Sequence, residues 1–577
     1  MELYLRKIYY FRNVNYTVLS IIPKKFRRRG IWVTFTILLR ALLNFVGLAA
    51  LLPILYLILD ADSIHSNTYL SAIYERVGFG SDTAFVAAIA VVVVAFIIVK
   101  SIVNLLLYRA ERDYIYALYR HLSRNLYIDY FNRGLSFIKR SNSAVLSRNV
   151  NVVCYTFVAG VLRPLATIFS EAMLFIMLFV SIAIYSPMAA LLTLAVFMPA
   201  VALYFVLIRQ RANRYGDIEN EAQRRKYRDV VETYRGYADI ELSNAFGQMV
   251  SAFDRNIDTI VSVGAKNATI ATFPQIFTEI GLACGMALLV ILSNAFQSND
   301  IKILFGIFAV AALRLLPSIR SIMGAWTSLR YNYYTIDIIR EADINEPKLN
   351  TTDTAEKLPF VDKIEVNNLS FQFDDSDVDT LHNISFTIRR GEKVGINGRS
   401  GAGKTTLFNL LLGFYEPTAG TITIDGTELT SENRRQWQNA IGYVSQSVFL
   451  TDNTLLANIA LGVDETKVDM ARVEHAVEVA ELGDFVKALP KGLHSRIGEC
   501  GALLSGGQRQ RIGIARAIYQ GADILFFDEA TSALDNATEQ SINTSIEALS
   551  KKDSQLTIVV IAHRESSLAY CDKIITL

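Results

Sequence analysis

Lys393-Val394-Gly395-Ile396-Asn397-Gly398-Arg399-Ser400-Gly401-Ala402-Gly403-Lys404-Thr405 is the stretch whose reading decides the fold of the chain's second half. Its last eight residues match G-x-x-x-x-G-K-[ST], a phosphate-binding loop. Lys393–Asn397 reads as a strand and Thr406–Gly413 as a helix, and that setting turns a pattern match into a site. Gly398, Gly401 and Gly403, with Ser400 and Ala402 between them, let backbone N–H groups curl around a phosphate at a helix N-terminus. Lys404 is placed to reach the β- and γ-phosphates of a nucleotide. Thr405 offers its hydroxyl to Mg²⁺, and Thr406 completes the candidate nucleotide contacts.

Downstream, Ile524-Leu525-Phe526-Phe527-Asp528-Glu529 is an apolar strand ending in two acids. Asp528 belongs in the Mg²⁺ shell and Glu529 beside the attacking water. Such an acidic pair is common by itself. Between loop and acids, however, stands Leu504-Ser505-Gly506-Gly507-Gln508, a far more specific signal.

Upstream the sequence changes character. A chain of 577 residues exceeds one core, so two or more domains are expected. The apolar fraction is 52 %, high for a wholly soluble protein, and mean hydropathy is positive. Net charge is only +2, which steers no nucleic acid, and none is expected as a partner. Cys154, Cys284, Cys500 and Cys571 lack pairing or metal spacing and read as reduced or buried thiols.

Six segments before residue 330 are long and apolar enough to cross a bilayer, near 31–59, 84–108, 158–185, 188–208, 271–295 and 301–328. The first is too long and too basic at its flank for a cleaved signal peptide. Lys and Arg crowd the leading segment (Lys24, Lys25, Arg27, Arg28, Arg29) and the connections 109–157 and 209–270. The other connections are nearly bare, with Arg76 alone in 60–83, so both termini are expected in the cytoplasm. The two basic connections are helix-patterned, as in Tyr227–Glu241. Two readings fit them: rigid levers below the membrane, or merely solvated helices. Ser66–Val77 likewise reads as an amphipathic helix at the outer surface or as an ordinary structured loop.

Charged residues inside spans are costly, and here they are Arg40, Lys100, Glu279, Arg314 and Arg320, joined by the polar Asn44 and Asn104. Cations facing one cavity would suit an anionic, phosphate-bearing substrate. Snorkelling or internal ion pairing, such as Glu279 with an arginine, is the alternative.

Phosphate loop, LSGGQ, then strand-Asp-Glu, behind six spans, resembles an ABC transporter over essentially the whole chain. The fold implied is a six-helix transmembrane domain (1–330), a linker (331–360) and an α/β P-loop NTPase domain (361–577). Fusion of spans to ATPase on one chain is the exporter arrangement of that family. The resemblance implies further roles: Phe373 stacking on adenine, Gln446 touching Mg²⁺ and water, Asp535 in the inter-subunit loop, and His563 contacting the γ-phosphate. It implies that Ser505, Gly506, Gly507 and Gln508 close over the nucleotide of a second copy, so a dimer is the working unit. A homodimer would have two hydrolytic sites, and a heterodimer also fits. Ser141–Arg148 and Tyr237–Leu242 resemble the short helices that couple spans to ATPase. Relatives usually continue beyond Leu577 for another strand, and no catalytic position is affected.

The external helix, Lys100 and Ala312-Leu313-Arg314-Leu315-Leu316-Pro317-Ser318 resemble bacterial flippases for lipid-linked oligosaccharides. Gln275 stands where that type has another arginine. The expectation is an ATP- and Mg²⁺-dependent exporter of a polyprenyl-pyrophosphate glycan or related anionic glycolipid in a bacterial inner membrane. Arg314, Arg320, Lys100 and Arg40 are its candidate substrate contacts. A general lipid or drug exporter is the rival, and an ATP-gated channel or regulator is the rival of another class. A peptide exporter with an N-terminal protease does not fit, since the roughly 30 residues before the first span hold no Cys/His pair.

Overall fold

The computed structural model describes residues 21–50, 74–79, 81–296, 299–342, 356–373, 376–528, 540, 544, 555–561, 568 and 571–577. Side chains are left undescribed at 48, 189, 209, 289, 292–296 and 299–314. Two compact units emerge, Met1–Leu349 and Asn350–Leu577.

The first unit is helical: α1 (Lys24–Ala49), α2 (Asp82–Asn132), α3 (Gly134–Arg140), α4 (Ser143–Arg148), α5 (Arg163–Tyr185), α6 (Pro187–Arg235), α7 (Tyr237–Leu242), α8 (Phe246–Phe296), α9 (Asn299–Tyr331) and α10 (Tyr334–Arg340). Between α4 and α5 the helix runs on through two π-helical turns, Asn149–Val153 and Val158–Leu162. Ser186, extended, breaks the chain between α5 and α6, and Pro187 opens α6 where its missing N–H costs nothing. Five of the described helical stretches are long and apolar enough to cross a membrane. The backbone of α9 covers the sixth expected span. The proposed surface helix Ser66–Val77 lies outside the described residues except for 74–77, which are helical.

Helices α2, α6 and α8 contain 51, 49 and 51 residues. At 1.5 Å per residue each is about 75 Å long, more than twice a bilayer core of about 30 Å. The basic connections are therefore continuations of the spanning helices. Burial changes sign along α2: Val91, Val92, Ile98, Val99, Leu105 and Leu106 are exposed, while Leu118, Leu122 and Leu126 are fully buried. An apolar surface on the first stretch suits lipid, and the second is a water-side core built on i, i+4 spacing. At the far ends, α4 is capped by Asn142, whose side chain accepts from the Ala144 N–H, and α7 begins after Gly236.

The expected linker 331–360 is shorter than the sequence suggests. Ile336 and Ile339 of α10 are fully buried in one cluster with Leu118, Val153 and Phe157. Their i, i+3 spacing continues the apolar stripe of α9 past the turn at Asn332, so these residues belong to the first unit's core. At its other end, Leu358 donates its N–H to Gln436 O, and Phe360 packs edge-on against Trp437.

Two glycines let other helices close on the exit of α9. A Cβ on Gly216 of α6 would overlap the Tyr331 carbonyl oxygen, and one on Gly160 would overlap the Asn332 amide.

The second unit pairs an antiparallel sheet with a parallel one. Its elements are β1 (Lys363–Phe371), β2 (Leu381–Arg389), β3 (Lys393–Asn397), α11 (Lys404–Leu411), β4 (Ala419–Ile424), β5 (Thr427–Glu428), α12 (Arg434–Asn439), β6 (Ile441–Val444), α13 (Leu455–Ile459), α14 (Met470–Val479), α15 (Gly483–Ala488), α16 (Gly506–Tyr519), β7 (Ile524–Asp528), β8 (Thr557–Ile561) and β9 (Lys573–Thr576). The antiparallel order is β2-β1-β4-β5 and the parallel order β6-β7-β8-β3-β9. Every residue of β7 and β8 is buried, as a parallel sheet covered on both faces requires. All four cysteines are free thiols. Burial pushes the Cys571 thiol up to about 11, aided by the Asp572 charge.

Gly216→Ala tests the packing of α6 on Tyr331. Alanine is the better helix former by about 1 kcal/mol, but overpacking costs about 1–3 kcal/mol. We expect a lowered melting temperature of the detergent-solubilised protein; a raised one would mean that the close approach is absent.

Candidate nucleotide site

Four parallel strands send their carboxyl ends to one edge of the sheet. Ile396 of β3 lies opposite Ile561 of β8, which lies opposite Asp528 of β7. Val444 of β6 lies opposite Phe527. The phosphate loop leaves β3 at this edge, where ligands of open α/β sheets bind.

The loop's shape follows from two residues. Gly401 and Gly403 adopt φ of +86° and +89°, a left-handed backbone that side chains resist. Gly403 is doubly required, since a Cβ would come within 2.7 Å of Leu381 Cδ2 and 2.9 Å of Thr380 O. Lys404 opens α11 and is only 6 % exposed; its ammonium donates to the carbonyls of Gly398 (2.9 Å) and Arg399 (3.1 Å). Ser400 and Thr405 are exposed and Thr406 is half-buried. Consecutive N–H groups at a helix start, beside a buried ammonium, form an anion cradle.

The β1–β2 connection borders this cradle, because Thr380 and Leu381 are the groups that crowd Gly403. Phe373 follows β1 by two residues and packs edge-on against Phe371 (4.9 Å) and Tyr415 (5.8 Å). The loop and the candidate adenine ring partner thus share one neighbourhood. Tyr415, which stacks on Phe371, escaped notice in the sequence because nothing in its spacing marks it.

Asp528 ends β7, 7 % exposed, and Gln446 follows β6 by two residues in an exposed turn. Among the described residues no three His, Cys, Asp or Glu side chains cluster as a metal site. One carboxylate, the Thr405 hydroxyl and the Gln446 amide suit Mg²⁺ held largely by phosphate oxygens, rather than an all-protein cage. Glu529, Asp535 and His563 lie outside the described residues. Bound Mg²⁺–nucleotide would supply the scissile phosphoanhydride and the charge that the metal neutralises. The residues that would receive it are the loop amides and Lys404 for the phosphates and Asp528 for the metal.

Ser505 caps α16 through a capping box. Its hydroxyl accepts from the Gln508 N–H (3.2 Å), and its own N–H donates to Gln508 Oε1 (2.8 Å). Gly506 and Gly507 form the first turn, leaving amides uncovered. Among the described residues no hydrogen bond joins Ser505–Gln508 to the Gly398–Thr405 loop.

In the first unit the in-span charges separate into kinds. Arg40 bonds Glu111 at 2.6 Å, with both side chains largely buried. That pair is the internal ion pairing that stood as the alternative to substrate contact for Arg40, and it compensates the buried arginine's charge. Arg320 donates to Thr278 Oγ1 (2.6 Å) and lies 3.8 Å from Glu279, which also accepts from Gln275 (2.8 Å). Asn104 donates to Asn44 at 2.7 Å. Ser318 donates to Glu171 at 2.8 Å, an in-span acid signalled only by its place in an apolar run. Lys100 differs. It lies half-buried across Gly47, where a Cβ would come within 2.6 Å of its Cδ, and it has no acidic partner among the described residues. The side chain of Arg314 lies outside the described set.

A nucleotide cradle on a parallel sheet, a capped LSGGQ helix and a preceding set of membrane-length helices define an ATPase fused to a transmembrane domain. A family model described as ABC transporter matches residues 381–532. The ATP-dependent lipid A-core flippase of Burkholderia pseudomallei is 30 % identical over 450 residues, 77 % of this chain and 74 % of that protein. The flippase of the same name from Bordetella avium is 36 % identical over 298 residues, 52 % of this chain and half of that protein's length. A solved structure of a bacterial Atm1-family ABC exporter with ATP bound superposes with a TM-score of 0.74 at 23 % identity. It covers 96 % of this chain and 93 % of that one, which establishes the fold. The chain belongs to the ABC transporter family, as an exporter-type half-transporter that couples ATP hydrolysis to transport.

Glu529→Gln is expected to retain ATP binding while turnover falls about a hundredfold or more, the range for a lost general base. Equilibrium nucleotide binding and phosphate release would be measured side by side. Undiminished hydrolysis would remove Glu529 as the base.

Proposed function

We propose that two copies of this chain export an anionic, phosphate-bearing glycolipid across a bacterial inner membrane, with both ATPase domains cytoplasmic. A lipid-linked oligosaccharide on a polyprenyl pyrophosphate is the leading substrate. The observation that carries the reading is Lys100. A lone ammonium inside an apolar helix is costly, and it is tolerated where a cavity or an anionic ligand receives it. Arg40 and Arg320 have carboxylates nearby and Lys100 has none among the described residues, so of these three Lys100 is left for a phosphate. Arg314, six residues before Arg320 in the sixth expected span, joins it by sequence position.

The names of the relatives favour a second reading within the same chemistry, a lipid A-type glycolipid. Both substrates carry phosphate and sugar on long apolar chains, and they differ in the anchor. ATP binding draws the two ATPase domains together and hydrolysis releases them. The long extensions of α2, α6 and α8, with α4 and α7 at their tips, carry that motion to the spans.

The test is reconstitution in liposomes, comparing ATP-dependent translocation of a polyprenyl-pyrophosphate oligosaccharide, a lipid A-like lipid and an uncharged hydrophobic drug. Lys100→Gln and Arg314→Ala should each cut movement of the anionic lipids about tenfold, roughly one lost charged contact, and leave basal hydrolysis in place. Equal movement of charged and uncharged lipids, indifferent to both substitutions, would sink the proposal. ATP-dependent conductance without stoichiometric transport would favour a channel instead.

A further inference from the structure

Strand β6 is apolar except for one residue. Ile441, Gly442 and Val444 bring no side-chain polar group, while Tyr443 carries a hydroxyl. Tyr443 pairs with Phe526 across the parallel β6–β7 ladder, so both point to one face, and Asp528, two residues on, points to it as well. That face is the one α11 covers, since Phe408 of α11 meets Phe526 edge-on at 5.3 Å. The Tyr443 hydroxyl donates to Asp528 Oδ2 at 3.4 Å. A phenylalanine would fill the same space against Phe526 without a hydroxyl to desolvate. A phenol placed there is stabilising only through the bond it makes.

Asp528 is the one described carboxylate at the sheet edge facing the phosphate loop. Its two oxygens are not equivalent, because Oδ2 is turned to the Tyr443 hydroxyl. Groups that hold a ligating carboxylate fix its orientation and tune the metal's affinity. We propose that Tyr443 is a positioning residue of the ATPase site, holding the Asp528 carboxylate in the orientation that receives Mg²⁺ with the bound nucleotide. The same strand leads within three residues to Gln446.

The test uses the full-length chain in the Glu529→Gln background, where nucleotide is bound without turnover. Binding of a fluorescent ATP analogue is titrated with Mg²⁺ and repeated in EDTA, with and without Tyr443→Phe. The expected result is an Mg²⁺ midpoint raised about tenfold, in the range for lost outer partners of a metal ligand, with binding in EDTA and the nucleotide-free melting temperature unchanged. In an Asp528→Asn background Tyr443→Phe should shift the midpoint no further, because the two residues act through one contact. An unchanged midpoint would overturn the proposal. So would an equal loss of binding with and without Mg²⁺, which marks a packing role, or fully additive effects of the two substitutions.

Discussion

The in-register parallel pairing of β7, β8 and β3 sets where everything chemical in the second unit can sit. With Ile396, Ile561 and Asp528 side by side, the loop after β3 and the acid ending β7 leave the sheet at one edge. A one-residue slip would turn Asp528 to the opposite face and away from α11. Burial of every residue in β7 and β8 makes that slip costly, since each would exchange a packed apolar neighbour for a mismatched one. The left-handed turns at Gly401 and Gly403 then complete the cradle, and Leu381 closes it from the antiparallel sheet.

The first unit answers to the bilayer. The spanning stretch of α2 shows apolar side chains outward; one packed core lies within the spans, around Tyr204, Ile208, Leu316 and Met323, and another farther along, around Leu118, Leu122, Leu126 and Phe157. Several in-span polar groups are answered by side chains of neighbouring helices: Arg40 by Glu111, Asn104 by Asn44, Ser318 by Glu171. Gln275 belongs to the same economy of contacts, donating to Glu279 beside Arg320. An arginine at that position would meet an acid that already has a cation near it.

The LSGGQ stretch is folded as a helix cap, and this explains its composition in part. Ser505 and Gln508 satisfy each other's backbone groups, which leaves the glycine amides of the first turn for a ligand. Nothing among the described hydrogen bonds ties it to the chain's own phosphate loop. The family's arrangement, in which this turn serves a second copy, is compatible with that separation.

The sequence by itself determined the two-part organisation, the spans, the phosphate loop and the place of Asp528. Each of these rests on short-range rules: apolar length, glycine backbone freedom, and a helix start beside a strand end. The resemblance marked the stretches Ser141–Arg148 and Tyr237–Leu242, where the structure has α4 and α7. Only the tertiary structure decided which in-span cations are spent on internal pairs, because Arg40 and Glu111 are 71 residues apart and meet through helix packing. It likewise moved residues 334–340 from linker to core, through burial in one cluster with Leu118, Val153 and Phe157. Tyr443 became legible for the same reason, since a side chain's partner across a sheet is set by register, which the sequence encodes only through the whole fold.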